Sequence, residues 1–532
     1  MYNVMMKNNP ERLVAQYALF AAFGGFVFGL DAANISGALR FISSLFELNN
    51  IQQGMVVGCA LLGVIVALFF TGTLCEHFGR SKVLLGIGFT YSLSTVISTT
   101  ALNYEMLVVG RFIGGVAFAS ITVSAMYIGE IAPAKLRGKF VSVNQLMIGL
   151  GLLIAFITNY FLLQTIEQIT WITNENVWRI MLGAELIANA LWIFLLWRIP
   201  ESPRWLIKQG RESEAREVLL EIAGEESKDT LVSNIKESLK EDAQLTTTQQ
   251  LKALFDKRLR VVLLVAIFYA IVQGATGMNA VLFFAPIVFE QVGMSVDDSF
   301  AQTISIGVVG LVATLFAILF IEQLGRRLLT LVGLVLVIVG HSSTFYGFNQ
   351  ANYTFDQEAV SAISEPFNQL NIDANKLETL VGRKFESDVA LKKELANHFT
   401  KKELPLVEGV IINATIRDIK ATWVLFGIFA FLAAFNLSIG PIMWVIFSEI
   451  FPNTVRSIAL PFAALVQTVS SWVIQQFFPW QLDNMGVANI FLAYAAVGLF
   501  GLIAMYLMLP ETKGKSIEAI EIELTKNKEA LS

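Results

Sequence analysis

Charge is what this sequence has least of. Only 15% of its 532 residues are Asp, Glu, Lys or Arg, against about 25% in an average soluble domain. Such a chain cannot cover itself with a water-facing surface. Two cysteines, Cys59 and Cys75, fall in one apolar stretch and give neither a disulfide framework nor metal-ligand spacing. The three histidines, His77, His341 and His398, lie far apart, so no catalytic constellation and no metal or cofactor site is expected and the chain does not read as an enzyme. No G-x-x-x-x-G-K-[ST] sequence occurs, which removes an ATP-driven pump. A net charge of −5 argues against nucleic acid as a partner. Segments of about ten alternating residues, the mark of a membrane β-barrel, are missing too.

What is there is apolar length. The chain is 55% hydrophobic, with a mean hydropathy of +0.62. About 20 apolar residues cross a bilayer as a helix. Twelve stretches qualify, near 13–37, 53–75, 83–101, 105–128, 140–163, 179–199, 261–290, 301–321, 328–348, 421–446, 457–478 and 486–509. The expected fold is an all-α polytopic membrane protein of twelve transmembrane helices, with the lipid bilayer as its surroundings. The first stretch is too long for a cleaved signal and reads as a retained helix. Lys and Arg crowd the short loops after spans two, four, eight and ten (Arg80, Lys82, Lys135, Arg137, Lys139, Arg326, Arg327, Arg456), while the opposite loops hold Arg40, with Arg179 at a span edge. Positive loops stay inside, so both termini are expected in the cytoplasm of a cell (plasma or inner) membrane protein.

Three motifs recur. "EHFGRSK" (76–82) returns as "EQLGRRL" (322–328), "GEIAPAKLRG" (129–138) as "SEIFPNTVRS" (448–457), and "PESPRW" (200–205) loosely as "PETKGK" (510–515). The chain is therefore a tandem duplication of a six-helix unit. Gly79 and Gly325 lie 246 residues apart but Arg137 and Arg456 lie 319 apart, so some 73 residues were added to the second half. The expected domains are an N-terminal half (1–199), a cytoplasmic helical linker (200–260), a C-terminal half (261–509) containing an extracytoplasmic insertion (349–419), and a cytoplasmic tail (510–532). Periodic Val360, Ile363, Phe367 and Leu370, then "DANKLETLVG", predict a small helical cap in the insertion. In the linker, "RESEAREVLLEIAG" and "TLVSNIKESLK" predict short amphipathic helices beneath the bundle.

One carboxylate interrupts "YALFAAFGGFVFGLDAANISGA" in the first span: Asp31. Counted at 1.5 Å per residue, Asp31 and Arg111 of the fourth span both lie roughly 9 Å below the outer ends of their helices. Opposite charges at matched depth are expected to pair, as a proton site or as a structural tie between spans. On the cytoplasmic side, Arg80, Glu130 and Arg137 recur as Arg326 or Arg327, Glu449 and Arg456, with Glu201, Arg204 and Glu511 beside them. Such carboxylate–arginine pairs are directional and predict a cytoplasmic gate.

These motifs, with "PESPRWL", "PETKG", "GLDAANISGA" and "GMNAVLFFAP", resemble the sugar porter family of the major facilitator superfamily over nearly the whole chain outside the insertion. The pattern is most like bacterial D-xylose/proton-type sugar symporters. The resemblance implies two pseudo-symmetric halves and import of a monosaccharide (a pentose or hexose such as xylose, glucose or galactose) in symport with protons by alternating access, with the protein functional as a monomer. It also implies proton coupling at Asp31, beside Arg111. Phe28, Gln145, Gln273, Asn279, Trp444 and Gln467 fall on family positions that contact sugar. Where the family carries amides or aromatics this chain has Gly274, Phe283, Phe284, Gly310 and Thr468, so a roomier, less polar pocket is expected. A facilitative sugar uniporter, or a non-transporting sugar sensor, remain the alternatives.

Overall fold

Hydrocarbon offers a peptide group no partner, so a chain inside it must satisfy its backbone from within. The computed structural model, which describes residues 10–133, 137–166, 168–242, 247–257, 259–370 and 372–513, does so with helices. The spans are Pro10–Leu45; Asn50–Phe78; Arg80–Thr99; Tyr104–Ala117 with Ser120–Ile131; Arg137–Thr165; Val177–Gly183 with Glu185–Leu196; Arg260–Ala275 with Met278–Phe283 and Ala285–Glu290; Val296–Leu324; Arg326–Phe348; Ala421–Leu437 with Ile439–Ile450; Asn453–Asn484; and Val487–Met508. Among the described residues eleven are long and apolar enough to cross a membrane on those grounds alone. The third, Arg80–Thr99, falls short of that measure, and several of its hydroxyls bond to backbone: Thr95 Oγ1 donates to Tyr91 O at 3.0 Å, and Ser94 Oγ to Gly110 O of span four at 2.8 Å. Large apolar side chains face outward, among them Phe69 (65% exposed), Leu319 (64%) and Ile187 (80%), as lipid requires and water forbids.

The apolar cores show how the halves meet. Leu30, Leu39, Phe41, Val56, Phe156 and Trp178, from one end of the first half, share a continuous core with the second half. Val14, Val27, Val83, Tyr127 and Trp192, from its other end, form a separate core with Trp205 of the linker. The halves are thus joined on the face that carries the insertion and part toward the face that carries the linker. On the insertion face Asn50 Nδ2 donates to Asp483 Oδ2 (2.7 Å) and Gln476 Nε2 to Ile51 O (2.8 Å).

The linker bridges the opposite face. Pro203–Lys208 and Glu212–Ala223 pack under the first half, where Trp205 Nε1 donates to Glu76 O (2.8 Å) and Tyr17 OH to Glu221 (3.0 Å). Thr247–Leu254 packs on span eleven instead; nearby, Ser457 Oγ donates to Gln250 (2.6 Å) and Phe255 meets Phe462 edge-on. The chain from 514 onward, most of the expected tail, lies outside the described residues.

The insertion is not only helical. Helices Gln357–Gln369, Asp388–His398 and Leu404–Thr415 and a 3₁₀ turn at Ala374–Leu380 surround a three-stranded antiparallel sheet in which Asn352–Thr354 lies between Lys384–Phe385 and Ile416–Arg417. Strands of two or three residues carry too little alternation to be read from sequence. The unit has its own core of Tyr353, Phe355, Ile363, Phe367, Leu391 and Ile411. Its ends adjoin, since Lys420 N donates to Gly347 O at 3.2 Å.

Within the first half, spans one and five touch backbone to backbone. A Cβ at Gly29 would run into the Ile148 carbonyl, and one at Gly151 into that of Phe26. Gly151→Val is therefore expected to destabilise the protein by about 1–3 kcal/mol or more, seen as a lower melting temperature in detergent. Gly72→Val, where a Cβ meets nothing, should melt within about a degree of the parent.

Candidate functional site

Four of the spans are broken near their middles, and the breaks assemble the site. Span seven opens at Gly277, which takes φ +83° with the Tyr494 ring where a Cβ would stand. The carbonyl of Thr276 freed there accepts from Nε2 of the fully buried His341 at 3.0 Å. This histidine of span nine thereby satisfies the carbonyl that the break leaves without a helical partner. Just before the break Gln273 Oε1 accepts from Gln467 Nε2 (2.8 Å), which also reaches Ser471 Oγ (3.0 Å). Two of the predicted amides are thereby joined. Asn279, just past the break, is half-buried.

Gln145 projects, exposed, into a cavity between the halves lined also by Gly149, Met278, Gly310, Thr314 and Asn436. Asn436 was not among the predicted residues. It is a lone amide two residues before the span-ten break at Ser438, and its Nδ2 donates to Leu432 O (2.9 Å). A Cβ at Gly310 would lie 3.7 Å from that nitrogen, so the space gained at Gly310 faces an amide on span ten. At Gly274 the expectation of extra room fails. A Cβ there would come within 2.8 Å of the Gln467 carbonyl, because spans seven and eleven pack in backbone contact. Phe284 is fully buried against Phe478 (5.0 Å) and is core rather than cavity wall. Phe28 meets Phe118 edge-on at 4.5 Å, at the break of span four. Trp444 stands half-exposed on the second segment of span ten, edge-on to Phe447.

Asp31 and Arg111 do meet: Arg111 Nη1 donates to Asp31 Oδ1, with the two residues 5% and 2% exposed. Sequence reading missed the third member. Glu185, 3% exposed, opens the second segment of span six and faces both Asp31 and Thr95. Asp31 Oδ2, Glu185 Oε1 and Arg111 Nε and Nη2 make no hydrogen bond within the protein. Two buried carboxyls thus lie near one guanidinium, which is bonded to Asp31. The only signal for it is a single glutamate in "MLGAELIAN", inside a stretch that otherwise reads as an ordinary span.

On the linker face the charges form two matching clusters. Arg80 Nε and Nη2 donate to Glu130 Oε1 (3.1 and 2.8 Å), and Ser202 Oγ donates to Glu130 Oε2. Glu201 Oε1 caps span three by accepting from Arg80 N and Ser81 N (2.8 and 3.1 Å). In the second half Arg326 donates to Glu449 Oε1 (3.2 and 2.9 Å), and Glu511 accepts from the backbone N–H of Arg326 and Arg327 (3.1 Å each). Burial opposes the charge on Glu511, but those N–H donors and that of Lys513 hold its carboxyl below the usual range. Gly79 and Gly325, at φ +93° and +85°, leave the space these carboxylates fill. The described bonds of each cluster stay in its own half. Arg456 bonds the Phe451 carbonyl (3.2 and 3.0 Å), Arg204 reaches Ser238 of the linker (3.2 Å), and the Arg137 side chain lies outside the described residues.

A family model described as "Sugar (and other) transporter" matches residues 17–362 and 407–524, the gap between them falling within the insertion. The chain is 29% identical over 531 residues to the arabinose-proton symporter of Bacillus subtilis (strain 168), covering 97% of this chain and 99% of that protein. To the D-xylose-proton symporter of Escherichia coli (strain K12) it is 28% identical over 94% of each chain. Its structure resembles that of the xylose transporter XylE from E. coli in a partially occluded inward open conformation, with a TM-score of 0.72, 27% identity, and 94% and 99% of the two chains covered.

The linker-face clusters make a stability prediction. Arg80 is 5% and Glu130 11% exposed at the side chain, so Glu130→Ala leaves a buried guanidinium with only the Cys75 carbonyl and a long contact to Glu76. The expected loss is about 3–5 kcal/mol, read as a marked drop in melting temperature. Glu76 touches the same arginine from a 45% exposed position; Glu76→Ala should cost no more than about 1 kcal/mol.

Proposed function

We propose, from the premise that the chain belongs to the Sugar (and other) transporter family, that it is a symporter carrying a monosaccharide across a cell membrane together with a proton. The single observation that carries the coupling is the triad of Asp31, Glu185 and Arg111, buried together in the first half. With both carboxyls ionised the triad holds one net negative charge in a dry site, which is costly. One proton makes it neutral. A proton taken by Asp31 from the outer side weakens its bond to Arg111, whose unbonded Nε and Nη2 then turn to Glu185. Release of that proton to the cytoplasm restores the pair.

Geometry supports the link to the sugar. Phe28 lies one helical turn before Asp31 on span one and rests on Phe118 at the break of span four. A change in the Asp31–Arg111 bond shifts these two spans against each other, and the first-span aromatic moves with them. The sugar is assigned to the cavity between the halves, where hydroxyls meet Gln145, Asn436 and the Gln273–Gln467 pair, with Asn279, Phe28 and Trp444 completing it as it closes. Alternating access is a rocking of the halves about this cavity. We place the linker face and both termini in the cytoplasm of a plasma or inner membrane, from the Lys and Arg of its loops, with 1–199 and 261–509 as halves, 200–260 as linker, 349–419 outside and 510–532 as tail. The two clusters around Arg80 and Arg326 act as rigid struts at the cytoplasmic gate, and a monomer suffices.

The test is uptake of labelled xylose, glucose and galactose into proteoliposomes, with and without an inward proton gradient. Wild type is expected to accumulate at least one of them only with the gradient. Asp31→Asn should lose accumulation but retain sugar counterflow. Gradient-independent equilibration by wild type would instead make the protein a uniporter. Gln145→Ala and Gln467→Ala should each weaken sugar binding by about 2- to 10-fold, the worth of one hydrogen bond, measured by titration calorimetry.

A further inference from the structure

The insertion's last helix, Leu404–Thr415, lies against the outer end of span one. Arg40 of that span puts Nη1 on Glu290 Oε1 of span seven at 2.8 Å, while its Nη2 donates to the carbonyl of Leu406 in the insertion. Both charged side chains are nearly closed off, at 8% and 7% exposed. One helical turn further on, Ser44 Oγ donates to Lys402 O at 2.8 Å. The insertion therefore grips the first half through two groups on one helix, plus a solvent-facing contact from Lys402 to Glu175.

Its hold on the second half is of another order. It is continuous with spans nine and ten. Asn413 Nδ2 donates to Gly293 O (2.6 Å), and Asp388 Oδ2 accepts from Val487 N (3.0 Å). The buried Lys392 sits 3.2 Å from Glu408 of the insertion and 3.7 Å from Asp483 of span eleven. Burial works against the charge of Lys392, but Glu408, Asp483 and Asp388 outweigh it and hold its pKa above the ordinary value. With its own core, the unit is bonded to the second half at more points than to the first.

We infer that the insertion is a clasp on the outer gate, which keeps the outward opening shut by seating Arg40 of the first half in a socket made by Glu290 and the Leu406 carbonyl, and which must release Arg40 and Ser44 before sugar enters. The inference rests on the alternating-access reading. Beneath the clasp, Asn34 and Gln475 are fully buried and their amides make no hydrogen bond within the protein. Buried amides in that condition are costly, and a passage that fills with water when the clasp lets go satisfies both. The same opening hydrates Arg40 and Glu290, so release strands neither charge in a dry site. The first half has nothing comparable: its corresponding connection is the short loop 100–103.

The test uses the full chain in proteoliposomes with Cys59 and Cys75 replaced by Ala. Ser44→Cys and Lys402→Cys together allow the insertion to be tied to span one by a disulfide or a short bifunctional thiol reagent. Uptake by the reduced, untied protein reads the transport assignment by itself. Arrest of uptake on tying, with recovery on reduction, is expected; full uptake by the tied protein overturns the clasp. In a second arm Ser43→Cys reports the outer gate, because Ser43 is 2% exposed and its hydroxyl makes no hydrogen bond within the protein. Its labelling by a membrane-impermeant maleimide should rise several-fold when Arg40→Ala or Glu290→Gln is added, whether or not those variants transport. A labelling rate that neither substitution moves also overturns it.

Discussion

An arginine buried at the edge of hydrocarbon must have a carboxylate, and four such pairs organise this molecule. Arg80 with Glu130 and Arg326 with Glu449 bind spans within a half. Arg111 with Asp31 ties span four to span one in the first half alone. Arg40 with Glu290 crosses from one half to the other. The chemistry is the same each time, yet the consequence depends on what the partner is attached to. A pair within a half fixes shape; in the proposed transport cycle a pair with a spare carboxyl beside it stores a proton, and a pair between the halves is made and unmade.

The duplication makes the difference visible. Glycine, arginine, glutamate and the capping carboxylate recur in both halves with nearly the same bonds, so the linker-face clusters were fixed before the halves diverged. Asp31 and Glu185 have no counterparts bound in this way in the second half among the described residues; span seven, the counterpart of the unbroken span one, is instead opened at Gly277, where His341 bonds the Thr276 carbonyl. The buried Asp31, Glu185 and Arg111 lie in the first half, while the bonded amide pair Gln273–Gln467 lies in the second.

Much of this is legible in the sequence because membranes impose long, simple signals. The twelve spans emerge from apolar length, and their helices start and stop within a few residues of the sequence reading, except at the ends of spans one and eleven, which run on beyond it. Asp31 and Arg111 can be matched by counting turns, a calculation that works when helices cross the same slab. Glu185 escapes because a single carboxylate near a helix break carries no period and no motif. Gly274 reads as a missing side chain, when it marks two backbones brought together; sequence shows that a residue is small but not what has moved into its place. The sheet in the insertion escapes because strands so short are defined only by their neighbours.

The insertion leaves and rejoins the bundle at almost one point, where Lys420 donates to Gly347. A folded unit with adjoining ends can be gained or lost by a gene in one event without altering the path of the helices on either side. On the clasp reading, its arrival would have added a term to the equilibrium between inward- and outward-facing forms without changing the helices that line the cavity. A lineage could then tune how long its transporter waits, closed to the outside, by editing one exposed module and leaving the membrane core unchanged.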